Sequence, residues 1–222
     1  MRKHGTFIGW PMRDSKRLRF SMPNEIWNQK LRPIEFIIFS YLCYYQSHNS
    51  PDQITLQMVA NGVHSTEITV KKYIESLINK GLITREQTLT TNLQCNSFRN
   101  FFTLPNEIFL LKLPPSAFMV YAYLLLIEDR KIHTCHPSYN TIAAETGLSK
   151  NTALKSINIL LESGLINMEP SSYFDKHGIK WKGNNLYTIL PIYSAVDTFH
   201  QRHLRKLELD MARSRLAAQT AV

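Results

Sequence analysis

The chain has 222 residues, 44% of them hydrophobic, a composition that supports a packed core and excludes global disorder. Its formal net charge of +9 favours an anionic partner, nucleic acid first, although ordinary solubility charge accounts for the same number. Cys43, Cys95 and Cys135 are too few and too far apart for a disulfide framework, which predicts a cytoplasmic protein. The longest apolar run, around Ile34–Tyr45, is broken by Glu35 and Ser40 and is too short to span a bilayer, so no membrane partner is expected.

Residues 1–19 form the first segment. Arg2, Lys3, Arg13, Lys16, Arg17 and Arg19 stand there against Asp14 alone, and Gly5, Gly9 and Pro11 oppose a regular element. No apolar stretch follows the basic residues, so a secretory signal is not expected. The segment reads as a basic arm in which Arg17 and Arg19 are candidate phosphate or groove contacts. The alternatives are a solvated leader or a segment packed through Phe7, Ile8 and Trp10.

An internal repeat comes next. Phe20-Ser21-Met22-Pro23-Asn24-Glu25-Ile26-Trp27 returns 82 residues later as Phe102-Thr103-Leu104-Pro105-Asn106-Glu107-Ile108-Phe109. Leu31, Pro33, Phe36, Tyr41 and Leu42 match Leu113, Pro115, Phe118, Tyr123 and Leu124 at the same offset, and Gly81-Leu82-Ile83 matches Gly164-Leu165-Ile166 at 83. Each copy is predicted to open with a short strand, Phe20–Met22 or Phe102–Leu104. A long helix follows, near Pro33–Gln46 or Pro115–Glu128, with proline in its first turn where no N–H is needed. Both helices are apolar all round, which predicts the buried centre of each unit. Two shorter helices and a hairpin complete the copy. The first hairpin is expected over Leu82–Leu104, with its loop within Thr88–Asn96. The second is expected over Leu165–Leu190, with its loop near Ser171–Gly183. Because the strand that ends copy one opens copy two, a rigid tandem with almost no linker is expected.

The clearest motif is Pro137–Ile166 in the second copy. Ser138 can cap a helix ending at Thr146, Gly147 permits a sharp turn, and Ser149 can cap a second helix. Leu154, Ile157, Leu160 and Leu161 are predicted to line its buried face. Ser149, Lys150, Asn151, Thr152 and Lys155 gather at its N-terminal end, the part of a recognition helix that enters the major groove. Asn151 suits adenine, and Lys150 or Lys155 suits guanine. The wing, Asp175–Asn184, adds Lys176, Lys180 and Lys182 as phosphate contacts. In copy one Thr66, Thr69, Lys71 and Lys72 remain candidates, with a longer turn after Gly62. There Glu67 and Ile68 stand where Lys150 and Asn151 stand in copy two.

Pro-Ser, Ile-Ala, Gly-Leu-Ser, Asn-Thr-Ala and Glu-Ser-Gly-Leu-Ile resemble the winged helix-turn-helix domains of bacterial regulators and replication proteins. The resemblance implies double-stranded DNA as partner and a mainly α fold with small β-hairpins. The expected plan is two tandem winged helix-turn-helix domains, 20–101 and 102–192, between the arm at 1–19 and an amphipathic helix at 193–222. That helix reads as packed on its own domain, as a homodimer contact, or, third, as a basic amphipathic helix at a membrane surface. Three functions fit this plan: a sequence-specific transcriptional regulator, a replication initiator of a plasmid or mobile element, and a protein-binding assembly module. Iteron-binding initiators resemble it as duplicated winged helices. No phosphate-binding glycine loop or hydrolase motif is found, so no enzyme activity and no cofactor are expected. His133-Thr134-Cys135-His136 lacks a second cluster at zinc-finger spacing, so no metal is expected.

Overall fold

The computed structural model describes residues 18–48, 54–85, 93–95, 100–174 and 176–220. The fold is mainly helical with small antiparallel sheets, of the winged-helix type. Strand β1 (Arg19–Pro23) leads through a 3-10 turn (Asn24–Gln29) into α1 (Pro33–His48), α2 (Leu56–Gly62) and α3 (Glu67–Asn79). A hairpin of β2 (Ile83–Arg85) and β3 (Leu93–Cys95) follows. Then come β4 (Phe101–Pro105), a second 3-10 turn (Asn106–Leu111), α4 (Pro115–Ile127), β5 (Thr134–Cys135), α5 (Tyr139–Thr146) and α6 (Lys150–Glu162). Strands β6 (Ile166–Glu169), β7 (Ser172–Phe174), β8 (Lys180–Lys182) and β9 (Leu186–Ile189) precede the long α7 (Ile192–Thr220).

The centre is the packing of α1 on α4. Every residue from Ala117 to Leu125 is buried, and Phe36–Ser40 are buried on α1, as the all-round apolar pattern predicts. Phe36 and Phe118, 82 residues apart, meet edge to face with ring centroids at 6.1 Å. Trp27 lies against Phe36, Phe102 and Tyr123, at 4.9, 6.2 and 5.6 Å. Phe109, its counterpart at the 82-residue offset, lies against Phe118, Phe20 and Tyr41, at 5.5, 5.7 and 5.1 Å. Each 3-10 turn therefore packs its ring on the other half of the chain.

Strand pairing has the same symmetry. β1 and β4 are antiparallel, with Phe20 opposite Leu104, Ser21 opposite Thr103 and Met22 opposite Phe102. Phe20, Met22, Phe102 and Leu104 are all buried, so the two strands share one apolar floor. This corrects the expected first hairpin. Its described pairing is β2 with β3, and Phe102–Leu104 pairs instead with Phe20–Met22, because both strands bury the same alternate positions.

A three-stranded sheet runs β5-β9-β6. Strand β5 takes up Thr134–Cys135, within the His133–His136 stretch before the helix-turn-helix. The expected loop at Ser171–Gly183 contains a further hairpin, β7 with β8, closed at its base by the Gly183 N–H donating to the Ser171 carbonyl at 2.9 Å.

Candidate nucleic-acid interface

Helices α5 and α6 form the expected helix-turn-helix. The Ser138 Oγ accepts from the Thr141 N–H at 3.0 Å, and the Ser149 Oγ accepts from the Thr152 N–H at 3.1 Å. Each satisfies a first-turn donor that the helix itself cannot. Between them Gly147 adopts φ of 67°, a conformation that disfavours a Cβ. Ala153, Ser156, Ile157 and Leu160 form the buried face of α6, which packs on α4 and α5. Leu154 is not in that face; it is 41% exposed. The stripe runs through Ala153, four residues before Ile157, and its small side chain suits close helix packing.

The outer side of α6 presents Lys150, Asn151 and Lys155 to solvent, with Thr152 half-buried and bonded to Ser149 through their hydroxyls at 2.8 Å. Three donors thus stand at the positive end of a helix dipole. Sequence reasoning missed Leu154 here, an exposed apolar side chain next to these donors and suited to a thymine methyl. Lys176 is exposed at the tip of the β7–β8 hairpin, beside Gly178 at φ of 76°. Lys180 and Lys182 lie in β8, but their side chains are outside those described.

The corresponding site in the first half differs. The Thr66 Oγ1 accepts from the Thr69 N–H at 3.3 Å, so α3 is capped as α6 is. Glu67, Ile68, Lys71 and Lys72 are exposed, Ile68 at 85%, and Thr69 is half-buried. Gly62 ends α2, and a Cβ there would stand 2.1 Å from the Tyr41 ring. The turn is made by His64 at φ of 54°, whose Nε2 lies 3.2 Å from the Phe109 carbonyl. That is a contact between the halves.

Arg19 is engaged within the fold. Its Nε donates to the Thr103 Oγ1 at 2.9 Å and its Nη2 to the Thr103 carbonyl at 2.7 Å. Arg17 and the arm residues before it lie outside the described residues. A contact absent from the sequence reading is Arg202 of α7, whose Nη1 donates to the Glu162 carbonyl at 3.1 Å and so occupies the C-terminal end of α6. Cys135 is buried, and burial together with nearby Glu128 pushes its thiol up to about 12, so it is unreactive at neutral pH. Among the described residues no helix is long and apolar enough to cross a membrane, and no cluster of three His, Cys, Asp or Glu is placed to hold a metal.

The capped pair of helices, the αL glycine between them and the hairpin after them define a helix-turn-helix of the winged class. Residues 111–166 match the sequence model of a helix-turn-helix domain. A solved structure described as a possible transcriptional regulator from Methanosarcina mazei Go1 aligns at 17% identity over 46% of this chain and 80% of its own, with a TM-score of 0.32. No curated protein matches.

Proposed function

We propose that the protein binds double-stranded DNA through the N-terminal turn of α6, with the β7–β8 hairpin as wing, and acts as a sequence-specific transcriptional regulator. The observation that carries this reading is the exposed set Lys150, Asn151 and Lys155 at a capped helix N-terminus in a helix-turn-helix. The lysines supply phosphate or guanine contacts and Asn151 a bidentate contact to adenine. Lys176, Lys180 and Lys182 add salt-dependent affinity. The chain is read as two tandem copies of one winged-helix unit. Backbone detail supports this: Lys30 and Lys112 are both left-handed after the 3-10 turns, and Gly81 and Gly164 share φ near +68°. Thr66, Thr69, Lys71 and Lys72 in the first copy form a weaker site, because Glu67 repels phosphate. The reading implies a binding protein in the cytoplasm, not an enzyme, and two chains paired on a two-fold site.

Replication initiation is the second reading, favoured by the crosswise packing of the two copies, which suits a rigid two-part reader. Fluorescence anisotropy with random and selected duplexes tests the proposal. Lys150→Glu with Lys155→Glu should weaken binding at least about tenfold, and Lys71→Glu with Lys72→Glu clearly less. Equal losses from the two pairs overturn the ranking, and salt-insensitive binding overturns the DNA reading. Sequencing of the bound genomic DNA separates the functions: promoter palindromes support a regulator and direct repeats at an origin an initiator.

A further inference from the structure

A cleft of about 830 Å³ opens at the seam of the two halves, where α7 rests on the Asn106–Leu111 turn. One wall is aromatic. Tyr41, Tyr44 and Phe109 touch one another there, with ring centroids 5.1 to 5.7 Å apart. The other wall belongs to α7, where Phe199 and His203 hold their rings parallel within 6°, with centroids at 6.5 Å. Lys112, His200 and His203 are exposed and bring nitrogen donors to the lining. Among the described lining residues Glu107 is the only carboxylate, and its Oε2 is shut off from solvent with no hydrogen-bond partner. Glu25, its counterpart, has the same orphaned oxygen without lining the counterpart cleft around Trp27 and Lys30. The oxygen is thus a feature of the repeated turn, not a group presented to a ligand. That counterpart cleft has, among its described lining residues, no histidine and one aromatic residue, Trp27. The histidines and the paired aromatic walls are therefore particular to the cleft under α7.

We propose that this cleft binds a small, flat aromatic carboxylate and that its occupancy couples α3 to α6. The volume is that of a small-molecule site, and the lining is largely apolar with a few polar groups. Aromatic walls favour a flat ring over a branched chain, since rings stack or meet edge to face. Lys112 with two imidazoles selects an anion over a cation. A carboxylate accepts from each of them, whereas an ammonium group would meet a second positive charge. The coupling follows from what the walls are tied to. His64, also in the lining, lies two residues before Thr66, the cap of α3. Its Nε2 donates to the Phe109 carbonyl, so it is held against the aromatic wall. On the other side Arg202, next to His203, joins α7 to the end of α6. A ligand touching both walls adds contacts that the empty cleft lacks, and so fixes the distance between those two attachments. The effect on DNA rests on the DNA reading above, whereas ligand binding does not.

Isothermal titration calorimetry of the full chain with 2-naphthoate tests the site, with 2-naphthamide and 2-naphthylmethylamine as its neutral and cationic counterparts. The acid should bind one to one with a Kd below about 1 mM, and the amide and amine at least about tenfold more weakly. Phe199→Leu keeps an apolar side chain but removes the flat face, and should weaken the acid at least about fivefold. Lys112→Asn should do the same, since asparagine tolerates the left-handed backbone there, at φ of 51°. Lys30→Asn, at the counterpart turn, should leave binding unchanged, which separates loss of the site from loss of a charge. The ligand series on the wild type decides the ligand class even where a variant fails to fold. No binding of 2-naphthoate up to about 5 mM overturns the proposal. So does equal affinity for the amide or the amine, or indifference to Phe199→Leu and Lys112→Asn. Bound 2-naphthoate should also shift duplex affinity at least about threefold in the wild type, and not in Phe199→Leu. Binding without that shift sustains the site and removes the coupling, and a chain that ignores duplex DNA removes only the DNA reading.

Discussion

Glu35 is the residue whose setting is most at odds with its charge. It is 3% exposed in the first turn of α1. Its Oε1 accepts from the Ser76 Oγ at 2.7 Å, and its Oε2 accepts from the Lys80 Nζ and the Arg32 N–H, each at 2.8 Å. Burial pushes the carboxyl up, but these three donors outweigh it, and the group sits below the ordinary carboxylate value. A depressed folded value means stabilisation that is present above the unfolded pKa and lost as pH falls through the folded one. Urea melts should therefore show the wild type losing stability below about pH 4.5, and Glu35→Gln flattening that loss. At neutral pH Glu35→Ala should cost about 2 kcal/mol, because Lys80 can turn to solvent while Ser76 loses its acceptor. An acid limb unchanged in Glu35→Gln would show that other carboxylates govern it. Ser149 gives a second residue-scale prediction. Ser149→Ala should cost about 1 kcal/mol through its lost cap bond, measured by thermal melting.

At the scale of elements, α6 with its wing and α3 with its hairpin share one plan and differ in chemistry. Lys176→Glu at the exposed hairpin tip should lower duplex affinity about equally across sequences and reduce the salt slope, read by anisotropy at several salt concentrations. Asn151→Ala should instead flatten the preference among bases. An identical signature from the two variants would argue against separate roles. Ser138, Gly147 and Ser149 were legible in advance because capping and a left-handed turn are local demands on residue type. Both central helices were legible for a similar reason, being apolar on every face. Leu154 was misassigned because helical periodicity alone cannot choose between adjacent stripes, and the choice fell to the small Ala153 against α4. For Gly62 only the longer turn after it was legible; that it makes room for Tyr41 while His64 takes the positive φ depends on tertiary packing. The strand partner of Phe102–Leu104 was not legible, since a buried alternating strand does not name its neighbour.

At the scale of the whole molecule, the two halves have no separate cores. Trp27 belongs to the first half, yet it packs on Phe102 and Tyr123 of the second, and Phe109 returns the arrangement on Phe20 and Tyr41. Cutting the chain between the halves would expose these rings along with Phe36 and Phe118, all large side chains at the centre of the packing. The halves should therefore unfold together, despite the repeat. Truncating Phe36 or Phe118 to alanine should cost about 3–5 kcal/mol each, as expected for a buried ring whose cavity collapses only in part. Because the two rings touch each other, the double variant should cost less than the sum of the single ones. Urea unfolding followed by tryptophan fluorescence and by far-ultraviolet circular dichroism should give one coincident transition for wild type and variants alike. Two resolved transitions, with Phe118→Ala moving only the second, would mean that each half holds its own core and that the crosswise rings are a surface contact. One transition means that a change in either half reaches the other through Phe36 and Phe118, so that the positions of α3 and α6 are set by a single packing arrangement.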